Sequence, residues 1–242
     1  MSILIAIRHG RSTSNSAGTL AGRTPGVELD DTGVEQARAL GRRLAGVPVT
    51  RAITSPLERC LQTTRLVLES AGLDLTPEVD ERVIETDYGQ WSGKLLKDLA
   101  DEPLWVTVQG SPDRARFPGG EAMADVRTRV VDAVLDWNSR LGDHDVWLLT
   151  SHGDPLAALL NWACGADFRH VQRLGVEPAS ASVILLPGAQ PSPDDTKPSP
   201  KQPRILTMNS VEGALTRWTT LPERQPVVGG AAGPGQGTEP QD

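Results

Sequence analysis

The sequence predicts an α/β fold: a doubly wound, mainly parallel sheet flanked by helices, with a small cap segment over one edge. Short apolar runs typical of buried strands alternate with amphipathic segments of helical spacing along most of the 242 residues. Two of these runs end in the same dipeptide, His-Gly, at His9 and His152. A hydrophobic content of 38% is sufficient for one core. We therefore expect a single domain over residues 1–221.

The first strand is predicted from Ile3 to Ile7, a short isoleucine-rich run of the kind found in strands buried on both faces. Arg8, His9 and Gly10 follow it directly, and a cluster of hydroxyl and amide side chains then ends at Asn15. Ligands of open α/β sheets bind beyond the carboxyl ends of the strands. His9 is therefore expected at a functional site.

A polar loop over residues 20–30, which contains Arg23, leads to the first long helix. Thr32 and Glu35 have the spacing of a capping box, in which each side chain binds a free backbone N–H of the first turn. The helix is expected to begin there and to end at Gly46, because glycine tolerates the left-handed conformation.

The second strand is predicted over Val49–Thr54 and is followed at once by a second helix that runs to about Ala71. Ser55 and Glu58 are spaced as another capping box. Arg59 falls in the first turn, where free backbone N–H groups and the helix dipole favour an anion.

The middle of the chain is polar and irregular over residues 78–93, which contain Glu85 and Tyr88. Residues 91–120 carry scattered Pro and Gly with weak periodicity, and we expect them to form the cap segment. Apolar residues then recur at helical spacing from Met123 to Leu141. This stripe predicts a long helix that packs against the core rather than against a partner.

The pattern of the first strand recurs late in the chain. The buried strand predicted over Val146–Thr150 ends in Ser151, His152 and Gly153, and a helix is predicted over Leu156–Cys164. Two further strands are expected, at 183–186 and 204–208.

Two segments are expected to remain outside the packed domain. Residues 188–203, between the last two strands, are rich in Pro, Ser and charge and predict a flexible surface insertion. The tail over 222–242 has too few apolar residues to be buried and is expected to be disordered.

Composition excludes several classes of function. The net charge of −7 argues against a nucleic-acid partner, which would require a basic face. Cys60 and Cys164 are far apart in sequence and suggest neither a disulfide nor a zinc site. No apolar run is long enough to span a bilayer, and the initial one is too short for a signal peptide. We expect a cytoplasmic protein without a membrane partner, and a homodimer is left open.

The predicted strand ends bring chemically complementary groups together. If the strands are neighbours, Arg8 and His9 meet Arg59 and His152 at one rim, with Glu85 on the adjoining loop. Phosphoryl transfer needs cations for the oxygens, an in-line nucleophile and a proton source for the leaving oxygen. A neutral imidazole supplies the nucleophile without a metal. We expect the other ring nitrogen of His9 to be held by a backbone hydrogen bond.

These residues resemble the motifs of the histidine phosphatase family, also called phosphoglycerate mutase-like, and the similarity extends from Ile3 to Met208. Its motifs, in the family's order, are Arg8-His9-Gly10 with Asn15, the Ser-Pro-x-x-Arg segment ending at Arg59, the loop 85–93, Phe117-Pro118-Gly119-Gly120-Glu121, and Ser151-His152-Gly153. The resemblance implies that His9 becomes phosphohistidine and that Glu85 donates a proton to the leaving group. It also implies that the phosphoryl oxygens are bound by Arg8, Asn15, Arg59 and His152.

The sequence departs from the family pattern at two positions. Arg11 stands where the family usually has Glu, and Ser92 replaces another Glu. The nearness of Arg11 to the phosphate residues suggests that it recognises a second anionic group of the substrate. Arg23 and Tyr88 are further candidates for substrate contact, although a structural or wall-lining role is at least as compatible with their positions. His144 and His170 are assigned to the surface.

The function predicted is that of a metal-independent phosphomonoesterase that needs no cofactor and acts on a small phosphorylated metabolite. A cofactor-dependent phosphomutase is the first alternative. The resemblance associates mutases with an adjacent arginine pair, to which Arg114 and Arg116 are the nearest approach. An inert phospho-ligand-binding protein is less favoured, because both histidines, both arginines and Glu85 are present. A hydrolytic metal site of His9, His152 and Glu85 is also less favoured, because the flanking arginines would repel a cation.

Overall fold

The computed structural model describes residues 1–188 and 202–219. Its sheet contains six strands in the order β3-β2-β4-β1-β5-β6. The strands are β1 (Ser2–Arg8), β2 (Val49–Thr54), β3 (Glu78–Val79), β4 (Val146–Ser151), β5 (Ala181–Leu186) and β6 (Arg204–Ser210). The pairs β1–β4, β2–β4 and β2–β3 are parallel, whereas β5 and β6 extend the sheet in antiparallel fashion. The predicted mainly parallel α/β sheet is thus confirmed.

Helices cover both faces of this sheet. The α-helices are α1 (Thr13–Ser16), α2 (Asp31–Arg43), α3 (Glu58–Ala71), α4 (Leu96–Leu99), α5 (Pro103–Gly110), α6 (Met123–Ser139) and α7 (Gly153–Ala163). Short 3-10 turns occur at Glu81–Val83, Gly89–Trp91, Pro112–Arg114, Phe168–Arg173 and Thr216–Trp218.

Alternate residues of β1 face two separate apolar cores. Leu4 and Ala6 belong to the core beneath α6 and α7. Ile3, Ile5 and Ile7 belong to the core beneath α2 and α3. Successive side chains of a strand point to opposite faces, so an uninterrupted apolar run is what a strand covered on both sides requires. This central position holds the end of β1 rigidly.

The carboxyl ends of the three central strands are in register. Arg8 of β1 pairs with Ser151 of β4, and Thr54 of β2 pairs with Thr150 of the same strand. The backbone amide of His9 donates to the Ser151 carbonyl at 3.0 Å, which continues the ladder one residue beyond the strand. The first residues after β1, β2 and β4 therefore emerge at one edge, as the sequence predicts.

The two predicted capping boxes are wrong. α2 is capped by Asp30, whose Oδ1 accepts from the Gly33 amide at 2.8 Å, while Thr32 lies inside the helix. α3 begins at Glu58 with Leu57 as its N-cap and no side-chain cap. Ser55 does not cap because its hydroxyl is used by a histidine, as described below.

The cap segment over residues 91–120 contains two helices that its weak periodicity did not predict. α5 is apolar around most of its circumference, so it gives no amphipathic pattern. Trp105 of this helix stacks on Trp91 at a centroid distance of 6.2 Å, and Phe117 also contacts Trp91. The segment is thus anchored to the core by a few side chains, and its residue Leu96 reaches the cavity at the sheet edge.

Other predictions fall beyond the structure. Residues 189–201 of the predicted insertion and the tail over 222–242 lie outside the described residues. Within the described part of the chain, no helix has the length and apolar character needed to cross a membrane.

Candidate active site

A cavity of about 290 Å³ opens at the carboxyl edge of β1, β2 and β4. Of the residues predicted from the sequence, it is lined by Arg8, His9, Asn15, Arg59, Glu85 and Tyr88. His152 lies directly behind it, with its ring centroid 5.2 Å from that of His9 and the two rings edge to face. The groups expected to meet at one rim do meet there.

His9 is oriented so that one ring nitrogen is unprotonated and keeps its lone pair for chemistry. Its Nδ1 lies 2.7 Å from the Gly10 carbonyl oxygen, and this partner assigns the ring proton to Nδ1. Nε2 then carries the lone pair and accepts a 3.3 Å hydrogen bond from Arg59 Nε. Burial, followed by the Arg59 and Arg8 guanidiniums, lowers the pKa of His9 well below its usual value. His9 is therefore a neutral imidazole.

A close backbone approach holds the His9 loop against α2. A Cβ at Gly33 would lie 2.0 Å from the Arg11 carbonyl oxygen, and a Cβ at Gly10 would lie 2.5 Å from the Gly33 carbonyl oxygen. Because glycine has no Cβ, it is the residue that lets the two backbones approach this closely. The first turn of α2 thereby supports the loop that carries the histidine.

His152 immediately precedes α7 and is fully buried. Its Nε2 lies 2.7 Å from Ser55 Oγ, which itself accepts from the Leu57 amide at 3.4 Å. When the Ser55 hydroxyl donates its proton to Nε2, the ring proton of His152 lies on Nδ1. Burial, with the nearby Arg59 charge, holds the pKa of His152 well below its usual value.

The two guanidiniums are anchored on one side and unpaired on the other. Arg8 NH1 donates to the Val176 carbonyl, and Arg59 NH2 donates to the Gly22 carbonyl at 2.8 Å. Among the residues that the structure describes, Arg8 Nε and Arg59 NH1 are buried and have no acceptor. A buried donor without an acceptor is costly, more so when it is charged. An anion placed between the two arginines would satisfy both.

Glu85, which is buried, and Asp154, which is half-buried, form a pair of interacting carboxyl groups that line the cavity. Burial raises the pKa of Glu85 to about 7, and the Asp154 charge contributes to the increase. Burial also raises the pKa of Asp154, which accepts a 2.8 Å hydrogen bond from the Tyr88 hydroxyl. Because that hydrogen bond favours an ionised Asp154, Glu85 is the member of the pair that holds a proton near neutrality.

The backbone of Glu85 is fixed by two arginines that share one carboxylate. Its carbonyl oxygen accepts from Arg23 Nε at 2.9 Å and from Arg129 NH2 at 3.1 Å. Both arginines pair with Glu121, at 2.8 Å and 2.9 Å. Arg23 itself does not line the cavity. Its contacts are those of a residue that positions the Glu85 loop, and the expectation that Arg23 contacts substrate stays a prediction.

Asn15 lies at the start of α1, in a capping box that the sequence analysis did not predict. Its backbone amide donates to Ser12 Oγ at 3.2 Å, and its Oδ1 accepts from the Ser12 amide at 3.0 Å. Both residues line the cavity. With Oδ1 engaged, the side-chain amide hydrogens are the groups that Asn15 can offer to an anion.

Arg11 is turned away from the cavity. Its Nε pairs with Asp30 at 2.7 Å, and its NH2 donates to Thr32 Oγ1, also at 2.7 Å. Its side chain is 43% exposed, and Arg11 does not line the cavity. The hypothesis that it recognises a second anionic group gains no support from this position and stays a prediction. His144 and His170 are exposed, as expected.

Four residues of the site were not identified from the sequence as functional: Ser55, Cys60, Arg129 and Asp154. Asp154 could have been found, because it is an acid in the first turn of the helix that follows His152. Cys60 Sγ lies 3.4 Å from His152 Nε2 and is fully buried, which raises the pKa of its thiol. Arg129 lies within the helix α6, and no local sequence pattern marks it as a residue of the site.

The donor set does not favour a metal. Within residues 1–188 and 202–219, no group of His, Cys, Asp and Glu side chains is arranged to hold a metal ion. His9 and His152 instead face two arginines. The alternative of a hydrolytic metal site therefore has no geometric support in the described part of the chain.

Comparison with known proteins agrees with this arrangement. A family model described as the histidine phosphatase superfamily (branch 1) matches residues 4–195. The chain belongs to the histidine phosphatase superfamily. The resemblance inferred from the motifs is thus confirmed.

Relatives within the superfamily have more than one activity. Phosphoserine phosphatase 1 of Hydrogenobacter thermophilus is 30% identical over 186 residues, covering 75% of this chain and 85% of the relative. A 2,3-bisphosphoglycerate-dependent phosphoglycerate mutase of Methylobacterium radiotolerans is 38% identical over 167 residues, covering 65% and 77%. A mycobacterial glucosyl-3-phosphoglycerate phosphatase, solved with VO3, aligns with a TM-score of 0.69 and 25% identity over 86% of this chain and 99% of its own.

Proposed function

We propose that the chain is a metal-independent phosphomonoesterase that acts through a phosphohistidine at His9 on a small phosphorylated metabolite. One observation carries this proposal. His9 is neutral, its unprotonated Nε2 lies beside Arg59, and it lines a cavity together with Arg8 and Arg59, whose Nε and NH1 respectively are buried without an acceptor among the described residues. A nucleophile beside two vacant cationic donors is suited to attack on a phosphoryl group.

The phosphoryl group would bind between the guanidiniums. A phosphomonoester dianion carries two negative charges, which Arg8 and Arg59 balance. Nδ1 of His152 and the amide of Asn15 supply neutral donors to the same oxygens. Because these donors are fixed before the substrate arrives, they stabilise the charge that spreads over the oxygens in the transition state.

The first chemical step transfers the phosphoryl group to the enzyme. His9 Nε2 attacks phosphorus with its lone pair, and the bond between phosphorus and the ester oxygen breaks. The protonated carboxyl of Glu85 gives its proton to that oxygen, so the alcohol leaves neutral and Glu85 becomes a carboxylate. Asp154 favours the protonated state of Glu85 beforehand through its negative charge.

The second step returns the enzyme to its starting state. The Glu85 carboxylate takes a proton from a water molecule, whose oxygen attacks the phosphorus of the phosphohistidine. The nitrogen–phosphorus bond breaks, inorganic phosphate is released, and the lone pair returns to Nε2 of His9. The same carboxyl group therefore acts as acid and then as base, as reversibility requires.

A pre-steady-state experiment tests this function. With 4-nitrophenyl phosphate in rapid mixing, the alcohol should appear in a burst that precedes phosphate release, because a covalent intermediate separates the two products. EDTA should leave the rate unchanged. Binding of phosphate without any release of alcohol would instead identify an inert phospho-ligand-binding protein.

A phosphomutase is the second candidate, because one relative is named as a 2,3-bisphosphoglycerate-dependent mutase. The resemblance associates mutases with an adjacent arginine pair, and the positions of the two arginines that most nearly form one favour the phosphatase. Arg114 is 79% exposed, Arg116 pairs with Asp125 at 3.0 Å, and neither lines the cavity. Incubation with 3-phosphoglycerate and 2,3-bisphosphoglycerate separates the candidates: a mutase forms 2-phosphoglycerate, whereas a phosphatase releases inorganic phosphate.

A further inference from the structure

The loop that carries Glu85 is bound by a single arginine of α6. Arg129 donates from Nε and NH2 to the two carboxylate oxygens of Glu121, at 2.9 Å and 3.1 Å. Its NH1 donates to the Arg82 carbonyl at 2.9 Å and to the Ile84 carbonyl at 2.6 Å. NH2 also donates to the Glu85 carbonyl at 3.1 Å. All five N–H donors of this guanidinium are therefore engaged.

The carbonyl groups that Arg129 binds belong to a segment that is held by side chains rather than by a strand ladder. Val83 completes the set, because its carbonyl accepts from Ser151 Oγ at 2.7 Å. Four successive carbonyl groups, at residues 82–85, thus accept from side chains of α6, β4 and the loop over residues 20–30. Backbone acceptors withdrawn from water need such partners. The course of this segment is therefore set by residues that are distant in sequence.

The backbone of this segment determines where the Glu85 carboxyl group lies. Oε1 of Glu85 accepts a hydrogen bond from the adjacent Thr86 amide at 2.8 Å. The carboxyl group is thus oriented by the chain that carries it, and Oε2 is the oxygen that can hold the transferable proton. A displacement of the backbone at residue 85 would move the carboxyl group with it, away from the ester oxygen.

Arg129 itself does not reach the reacting groups. It does not line the cavity, whereas Arg8 and Arg59 do. Its charge is balanced by Glu121, and its side chain is only 16% exposed. The contacts of Arg129 lead to the Glu85 loop and not to the place of the phosphoryl group.

We propose that Arg129 is the positioning residue of the general acid: it holds the backbone of residues 82–85 so that the Glu85 carboxyl group meets the leaving oxygen. This inference rests on the proposed function, in which Glu85 gives its proton to the ester oxygen as the bond from phosphorus to that oxygen breaks. Arg129 exchanges no proton in this step. A displacement of about 1 Å caused by a residue outside the reacting groups can lower a rate by about a hundredfold.

Two phosphate esters with different leaving groups test the proposal in Arg129→Ala. Butyl phosphate needs a proton on its leaving oxygen, whereas 4-nitrophenolate leaves without one. We expect kcat/KM, which reports the steps up to release of the alcohol, to fall by about tenfold to a hundredfold for butyl phosphate. For 4-nitrophenyl phosphate the loss should not exceed about threefold. The inhibition constant of inorganic phosphate should change by less than about twofold, because Arg8 and Arg59 are intact.

Two further variants complete the test. Arg129→Lys keeps the positive charge beside Glu121 but not the planar fork, so its loss should also be selective for butyl phosphate and smaller than that of Arg129→Ala. The Lys variant decides the question if Arg129→Ala does not fold. Arg65→Ala removes an exposed arginine that pairs with Glu69 on α3, and it should leave both kcat/KM values unchanged.

The outcomes separate this inference from the function on which it rests. Equal losses for the two esters in the Arg129 variants would overturn the inference, because a general loss of structure does not distinguish leaving groups. Unchanged values, or a tenfold weaker inhibition by inorganic phosphate, would overturn it as well. Glu85→Gln is measured in parallel. A selective loss in Glu85→Gln alone would overturn only the role of Arg129, whereas no selectivity in Glu85→Gln would overturn the proton donor of the proposed function.

Discussion

Ser55 Oγ lies 2.7 Å from Nε2 of His152, although the two residues are 97 positions apart in the sequence. They follow neighbouring parallel strands, β2 and β4, so the register of the sheet brings them together. With the hydroxyl donating to Nε2, Nδ1–H is the remaining donor of the His152 ring. A hydroxyl that would ordinarily cap a helix thus serves the site instead.

Ser55→Ala should lower kcat about fivefold to tenfold, the effect of one lost neutral hydrogen bond in a buried position. KM should change little, because Arg8 and Arg59 still bind the phosphoryl group. Ser55→Thr retains the hydroxyl and should restore part of the activity. Equal losses in the Ala and Thr variants would indicate a packing role for Ser55 rather than a hydrogen bond to His152.

Glu85→Gln should lower kcat by about a hundredfold or more with alkyl phosphates, since general acid catalysis contributes that much. The loss should be much smaller with 4-nitrophenyl phosphate, whose leaving group needs no proton. The experiment compares the two substrates in the wild type and in the variant. A loss that is the same for both leaving groups would contradict the assignment of Glu85 as proton donor.

Asp154→Asn should shift the pH profile of the enzyme toward lower pH. The protonated form of Glu85 is the active acid, so kcat falls as the pH rises through its pKa of about 7. Removing the Asp154 charge lowers that pKa, and the alkaline limb of the profile should move in the acid direction. Asp132→Asn changes an exposed acid of α6 and serves as the control. An unshifted limb in Asp154→Asn would separate Asp154 from the titration of Glu85.

Arg11→Ala should leave kcat and KM unchanged for the substrates tested, because the guanidinium is bound to Asp30 and Thr32 outside the cavity. The free energy of unfolding should fall by no more than about 1 kcal/mol, as for other partly exposed ion pairs. Chemical denaturation together with steady-state kinetics measures both quantities. A large increase in KM would restore Arg11 as a substrate-binding residue.

The strands and the meeting of the two histidines could be predicted because they follow from simple patterns. Uninterrupted apolar runs indicate strands covered on both faces, and parallel strands expose the residues beyond their carboxyl ends at one edge. His9, Arg59 and His152 each stand at or just beyond such an end. Their convergence needs no knowledge of side-chain packing.

The remaining features depend on competition between partners that a local pattern cannot resolve. Ser55 has the position of a helix cap, but His152 takes its hydroxyl. Arg11 is near the site in sequence, but Asp30 holds it elsewhere. The helix α5 has no regular apolar stripe, because Trp105 and Val108 pack toward the core while the apolar Val106 is exposed. In each case the deciding partner is distant in sequence.

Trapping of the phosphoenzyme tests the central claim most directly. The enzyme is mixed with a radiolabelled alkyl phosphate and quenched in alkali, and the labelled residue is located by mass spectrometry. We predict one phosphoryl group on His9, stable in alkali and lost in acid, and no label in His9→Ala. Turnover without a labelled intermediate, or label on any other residue, would contradict the account.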